Sequence, residues 1–582
     1  MQRALGLGTL FARISTPTPG RFKLIRSRGA QRGLIGLACA VLAVLIITGC
    51  GGGGKKGAAT GPGSSKGKTF AVFKASWAAP DYMDPGEAYT VAAWQIFFNV
   101  YDGLVVYKHV AGPDGATLVP GLAASMPKVN ASGTQYTFTL RKGLKYSNGT
   151  PVKASDFRSA IERDFKMNSP GVGFYSNIVG VGGASGYAKK HVGHISGIVT
   201  NDAAGTITIK LAKPESDFLY VLALPFSNPV PASTPAKITQ TPPPPSTGPY
   251  YVKTYKPNKS ILVVRNPNWN NQIPTVPSGN PDRLEATIIQ DPSRAAQSVI
   301  SGGSDYDESL LPSDRLAQLE SKYKDQIKLS PCACTWYFFM NQRLAPFNNI
   351  KARQAVNYAI DRNALLSAAF GGLGQTTQNF LPPNYPQYKK INYWKYDLTK
   401  AKQLVKSAGL TGTPVKVFGE NVDPSKTAVT YLTGQLNKIG FKASTRLLGE
   451  SSYFPSIGSQ ATKAQIGYLD WLQDFPYPTD WFDVLLNGEN IHATGNNNDG
   501  NVDIKSLNKE IDRLKTLPPA QVNTKATSDA WAKLDYAYSV KYAAVANYLN
   551  RTETDFFSPR MDLSCYYFHV VANFDWGSIC TK

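Results

Sequence analysis

PGLAASMPKVNASGTQYTFTLRKGLKYSNGTPVKASDFRSAIER, residues 120–163, is the stretch from which the rest of the chain is best read. Tyr136, Phe138 and Leu140 alternate with Thr137, Thr139 and Arg141, the period-two pattern of a half-buried strand. Asn148-Gly149 is a strong two-residue turn signal, because both positions of that turn favour positive φ. A helix should follow, with Phe157, Ala160 and Ile161 on one face and the Asp156 carboxylate near its positive end. Taken alone, this is a strand, a turn and a helix.

Read as motifs, Pro120-Gly121-Leu122-Ala123, Tyr136-Thr137-Phe138, Leu140-Arg141-Lys142-Gly143, Gly149-Thr150-Pro151 and Ala154-Ser155-Asp156 say more. Together they resemble the signature of the peptide/nickel class (family 5) of bacterial extracellular solute-binding proteins, the receptor subunits of ABC importers. Further resemblances follow in order from Phe70 onward: Asp84-Pro85, Tyr101-Asp102-Gly103-Leu104-Val105, Ser246-Thr247-Gly248-Pro249-Tyr250, and the helix IKARQAVNYAIDR at 350–362. Arg353 and Asp361 of that helix read as solvated or locally paired charges. The resemblance implies an α/β, two-lobed periplasmic-binding-protein-like fold of the large type II form, with an extra subdomain inserted in lobe one. The expected divisions are lobe one at 69–115, 207–330 and 546–582, the inserted subdomain at 116–206 and lobe two at 331–545. Two chain crossings, near 330 and 545, would form a hinge.

The N-terminal end reads as an export signal. Residues 1–49 carry seven basic and no acidic residues, and the apolar run Gly33–Thr48 is short for a membrane span. Ile47-Thr48-Gly49-Cys50 resembles a lipobox, which implies lipidation of Cys50; a signal anchor that stays uncut is the alternative. Residues 50–68, rich in Gly, Ser and Lys, cannot bury a core and read as a tether. The expected location is the outer face of the bacterial cytoplasmic membrane, held there by lipid alone.

The chain has 582 residues, with 62 basic and 40 acidic side chains, a formal charge of +22. Without the leader, 55 basic residues face the same 40 acidic ones, about +15. These charges are scattered, so nucleic acid is not an expected partner. Neither HExxH nor a P-loop occurs, and the one Gly-x-Ser-x-Gly, at 63–67, lies in the tether. Five His include one close pair, His191 and His194, so neither enzyme activity, a metal nor a cofactor is expected.

Gly467–Phe482, GYLDWLQDFPYPTDWF, interleaves aromatics, carboxylates and two prolines. It looks too kinked for a helix interior and too polar for a core strand. Trp471, Asp474 and Pro478 match the spacing of the family's cleft segment, and the resemblance implies that Asp474 binds a ligand α-amino group. Trp471, Tyr477, Gly103 and Val105 are the other expected ligand-binding positions, with Asp470 and Asp480 as nearby substitutes for Asp474. The expected partners are a short peptide and the permease and ATPase subunits of an ABC transporter, the receptor itself being a monomer. A non-peptide solute such as an oligosaccharide or cell-wall fragment, taken by the same fold, is the alternative; a charged anchor favours the peptide, aromatic platforms the sugar.

Cys332, Cys334, Cys565 and Cys580 remain in the exported part, an even number that suggests two disulfides in one of three connectivities. Cys334 resembles a position that is bridged in some oligopeptide receptors, but the partner position is Leu472 here. The expected pairing is Cys565–Cys580, with Cys332 and Cys334 either bonded to each other or free.

Overall fold

The computed structural model describes residues 70–312 and 315–582. The leader, Cys50 and the tether lie outside the described residues. No helix among the described residues is long and apolar enough to cross a membrane.

The chain folds as an α/β, two-lobed protein whose lobes share one sheet. Among the described residues this sheet has twelve strands. On the first-lobe side, Phe70–Trp77 runs parallel to Pro281–Ile288, which continues antiparallel to Ser260–Arg265 and then Tyr250–Lys256. On the second-lobe side, Cys334–Met340 pairs antiparallel with Ile466–Leu472, and Pro414–Glu420 pairs parallel with both Ile466–Leu472 and Lys442–Leu448. The thirteen-residue strand Val545–Phe557 joins the two halves. Its first part pairs with Cys334–Met340 and, through Arg551, with Gly374; from Thr552 onward it pairs with Ile327–Pro331 and then with Tyr306–Asp307.

Each half has its own core. Trp77, Tyr306, Phe557, Phe574 and Trp576 pack together in the first lobe, with the Tyr306 and Phe557 rings stacked at 5.0 Å. In the second, Phe482 stacks on the fully buried Trp531 at 5.7 Å. Side chains of this size contribute roughly 1.5–3 kcal/mol each when fully buried. A separate four-stranded antiparallel sheet is ordered Lys128–Val129, Gln135–Thr139, Thr206–Lys210 and Ile198–Asn201; three of its strands lie within 116–206, while Thr206–Lys210 runs past that boundary into the stretch expected to belong to lobe one. Helix Ala154–Met167 accompanies it, and Asp156 accepts the Lys153 N–H at 2.9 Å to close the first turn.

Several local readings need correction. Ile466–Leu472 is a strand in the middle of the sheet. Its polar residues mislead because they sit at its end, where Asp470, Trp471 and Leu472 are half-buried, while Ile466–Leu469 are buried. The prolines fall beyond it: Pro476 in the loop and Pro478 just before helix Thr479–Leu486. At the Asn148-Gly149 turn only Gly149 takes positive φ, at 84°. The Asn148 side chain instead folds onto the backbone, accepting from Thr150 N at 3.1 Å and from its hydroxyl at 2.7 Å. Arg353 is buried, donating to the Phe347 carbonyl at 2.8 Å and the Tyr542 carbonyl at 3.0 Å. Asp361 caps the next helix, Arg362–Phe370.

Cys334 lies directly opposite Leu472 in the ladder, and Cys332 is bonded to Cys334. Cys565 is bonded to Cys580 across a separation of 15 residues, with Cα atoms 5.8 Å apart. A loop of that length is worth about 3 kcal/mol in chain entropy. The double variant Cys565→Ser, Cys580→Ser is therefore expected to lose about 2–3 kcal/mol in denaturant unfolding. Unreduced peptide mapping should recover residues 565 and 580 in one linked fragment; linkage of either to 332 or 334 refutes the pairing.

Candidate functional site

The strand Ile466–Leu472 is the scaffold of the site. It ends because the following segment carries Pro476 and Pro478, which cannot donate to a ladder. The chain then turns across the first lobe: Gln473 N–H donates to the Ala333 carbonyl at 3.1 Å, and its side chain to the Val570 carbonyl at 2.6 Å. This turn presents Asp474, which is 6% exposed.

Two acidic groups meet here and have different roles. Asp480, fully buried, accepts the Asp474 backbone N–H at 3.1 Å and the Trp471 indole N–H at 3.2 Å. It therefore holds the turn in shape. Asp474 lines two cavities and, among the described residues, its side chain accepts only the Tyr89 hydroxyl, at 2.5 Å, a contact from the first lobe. No lysine, arginine or histidine among the described residues forms an ion pair with either carboxylate. Burial pushes the Asp474 carboxyl up to about 7, partly countered by the Tyr89 hydrogen bond. Burial and the neighbouring Asp474 push Asp480 well above the usual carboxylate range. The site is thus a desolvated pair of acids without a counter-cation.

Asp474 lies on the walls of two cavities. One, of about 60 Å³, has mostly apolar walls that include Trp94, Phe98, Tyr107 and Leu224. The other, of about 270 Å³, is polar and includes Glu215, Asp217, Asp483 and Lys515, with Phe174 and Phe475. Lys515 bonds Asp483 at 2.6 Å. Burial opposes charge on Lys515, but Asp483, Asp217 and Glu215 outweigh it and hold its pKa up. Burial pushes Glu215 up to about 7, with Asp217 adding to the shift. The Thr479 hydroxyl donates to Asp217, and Ser216 N–H donates to the Lys515 carbonyl at 2.8 Å, so the walls also touch here.

The other expected residues are distributed as follows. Gly103 lines the smaller cavity with Asp474. A Cβ there would lie 2.9 Å from Asn228 Oδ1 and 3.1 Å from the Leu222 carbonyl, so the close approach requires glycine. Val105 is buried and paired with Pro120, and its neighbour Val106 is the one on the cavity wall. Trp471 acts through Asp480. Tyr477 is buried, stacked on Tyr220 at 6.0 Å and edge-on to Trp531 at 6.1 Å, and lines neither cavity. Tyr89, Asp102, Asp217 and Lys515 were not singled out as ligand-facing from sequence. Tyr89 lies 385 residues from Asp474, and no local pattern joins them.

The model of the bacterial extracellular solute-binding proteins, family 5 middle region, matches residues 117–493. The heme-binding protein A of Haemophilus influenzae is 28% identical over 494 residues, covering 79% of this chain and 84% of that protein. The periplasmic oligopeptide-binding protein OppA of Escherichia coli is 24% identical, covering 71% and 76%. Among solved structures, the clavulanic acid biosynthesis oligopeptide binding protein 2 superposes with a TM-score of 0.80 at 24% identity, over 90% of this chain and 99% of that one.

The raised Asp474 pKa has a definite sign in stability. Below about pH 4 the carboxyl is protonated whether the chain is folded or not. As pH rises towards 7 the unfolded chain loses this proton first, so the folded state loses stability across that window. Asp474→Asn keeps the shape and removes the effect. Ligand-free Asp474→Asn is expected to be more stable than wild type by roughly 1–3 kcal/mol at pH 8, with the gain gone at pH 4. Calorimetry at the two pH values checks this; an equal gain at both contradicts the assignment.

Proposed function

This chain belongs to the bacterial extracellular solute-binding proteins of family 5, and from that premise we propose that it captures a short peptide between its lobes and delivers it to an ABC transporter permease. The observation that carries the reading is the buried, unpaired Asp474. A carboxylate kept from water without a cation is costly, and a ligand ammonium removes that cost. A peptide α-amino group supplies the charge. Asp480 orients the turn from behind, and Tyr89 reaches Asp474 from the other wall, so the pocket is complete only when the lobes meet.

Relatives carry other ligands in their names. A heme-binding relative raises the question of a porphyrin, but the carboxylic acid side chains of heme are poorly matched to walls bearing Asp474, Asp217, Glu215 and Asp483. A neutral oligosaccharide or cell-wall fragment would use the aromatic walls, Trp94, Tyr107, Phe174 and Phe475 among them, and would leave Asp474 unpaired. The acid favours the peptide.

The lobes would pivot where the chain passes between them, at Cys332-Ala333 and at Arg551-Thr552; the second passage is placed there and not near 545 because Val545–Leu549 still pairs with the second-lobe strand Cys334–Met340. Anchoring through a lipid on Cys50, with residues 50–68 as a tether, would keep the receptor beside its permease as a monomer.

Two measurements test this reading. Asp474→Asn should weaken binding of a free-amine tripeptide by roughly 2–5 kcal/mol, as for loss of one partner of a buried charge pair, and an N-acetylated tripeptide should bind wild type poorly. Equal calorimetric affinity for acetylated and free peptides moves the assignment to the neutral solute. Small-angle scattering should show a smaller radius of gyration with peptide bound; superimposable curves at saturation refute closure.

A further inference from the structure

The smaller cavity holds a second acid that the amine-binding reading leaves unused. Asp102 lines it, is 2% exposed, and has a buried Oδ2 without a hydrogen-bond partner among the described residues. The Asp102 backbone is fully engaged: its N–H and carbonyl bond the Thr247 hydroxyl at 2.8 and 3.0 Å. The base lining the same cavity, His109, is bonded to Asp575 at 2.9 Å. Asp575 in turn accepts Asn99 Nδ2 at 2.8 Å, Gly577 N–H at 3.1 Å and the Tyr567 hydroxyl at 2.5 Å. One of the two acids near His109 is thus saturated, and the other faces the cavity unsatisfied. Burial pushes Asp102 up to about 7 despite His109, as expected of a carboxyl lacking a partner. The Tyr107 hydroxyl, on the same wall, is also buried without a partner.

Resting on the reading in which Asp474 receives the α-amino group, we infer that this cavity takes the side chain of the ligand's first residue, and that this side chain is a primary amine on an apolar stem, of the lysine or ornithine class, with its ammonium on Asp102. Three features select this chemistry. The cavity carries carboxylates from two distant segments, Asp102 and Asp474, which suits a ligand end with two cationic groups. Trp94, Phe98 and Tyr107 provide apolar and aromatic wall for a stem, and ring faces are themselves favourable to a cation. The cavity is small, about 60 Å³, which favours a slender unbranched stem ending in a compact ammonium. The planar guanidinium of arginine is bulkier and fits less well. An aliphatic side chain of the same length fills the space but leaves Asp102 and the Tyr107 hydroxyl unpaired, which is the source of discrimination.

The test uses calorimetry on the full exported chain with Lys-Ala-Ala, norleucine-Ala-Ala and Nα-acetyl-Lys-Ala-Ala. Wild type should bind the lysine peptide about tenfold or more tightly than the norleucine peptide, the difference expected from one hydrogen-bonded charge. Asp102→Asn should reduce that preference to about twofold, chiefly by weakening Lys-Ala-Ala. Tyr107→Phe, which keeps the ring, should reduce the preference in part and serves if Asp102→Asn does not fold. Equal or tighter binding of the norleucine peptide to wild type overturns the inference; if acetylation still abolishes binding, the α-amine anchor survives. A lysine preference that persists in folded Asp102→Asn also overturns it. Failure of all free-amine peptides to bind removes both this inference and the peptide reading.

Discussion

The backbone ladder along Val545–Phe557 is the constraint on which the rest of the structure depends. One strand gives its first half to Cys334–Met340 and its second half to Ile327–Pro331 and Tyr306–Asp307. The two lobes are therefore not beads on a linker: any rotation between them must twist a hydrogen-bonded ribbon near Arg551. The side chains at that point are fixed to their surroundings. Asn550 donates to the Cys334 carbonyl and to Thr335 Oγ1, both at 2.9 Å, and the Arg551 guanidinium lies 4.7 Å from the centre of the Trp336 ring while pairing with Glu553 at 2.6 Å. The second passage, Cys332-Ala333, is confined by the Cys332–Cys334 bond. Both passages are short and held, which limits the relative motion open to the lobes.

This arrangement also sets where the binding chemistry can be. Ile466–Leu472 is adjacent to Cys334–Met340 in the sheet, so its C-terminal end emerges beside the passage between lobes. A turn there is carried by the second lobe and faces the first. Asp474 occupies that turn, and Tyr89 meets it from the other side. On the proposed reading, a small rotation of the ribbon would change the Asp474–Tyr89 distance and admit or exclude water. The affinity of a carboxylate for an ammonium depends steeply on water, so binding and closure would then be energetically coupled through the same few atoms.

Much of the fold was legible because its signals are local. The strand at 135–139 and the helix at 154–167 follow from periods of two and 3.6, and Asp156 closes its helix within three residues. Asp474 is singled out only through the family resemblance, by its spacing from Trp471 and Pro478; the structure adds that it is buried on a cavity wall. What sequence could not supply is whatever depends on separation. Lys515 meets Glu215 and Asp217 across some three hundred residues, and Tyr89 meets Asp474 from the other end of the chain. Ile466–Leu472 was misread for a different reason: a central strand whose exposed end carries the site has the composition of a loop at that end. Tyr477 shows the converse, a residue in the right segment whose ring was needed by the core.

The charge of the whole chain and the charge of the cleft have opposite signs, and the contrast bears on how a ligand is chosen. A formal charge of about +15 without the leader makes the exterior hospitable to anions and mildly repulsive to small cations. The cavity walls carry Asp102, Asp474, Asp217, Glu215 and Asp483 against Lys515, with Asp480 buried behind Asp474. In an open, wet cleft these acids are screened and attract weakly. In a closed one they are desolvated, and burial raises the pKa of Asp102, Asp474 and Glu215 to about 7, so near neutrality each is poised to hold a proton when no cation is available. Closure on an empty or anionic occupant therefore costs either buried charge or proton uptake, while closure on a cation costs neither. On the proposed reading, selectivity would sit in the closing step and not in long-range attraction, and a basic exterior would not weaken it.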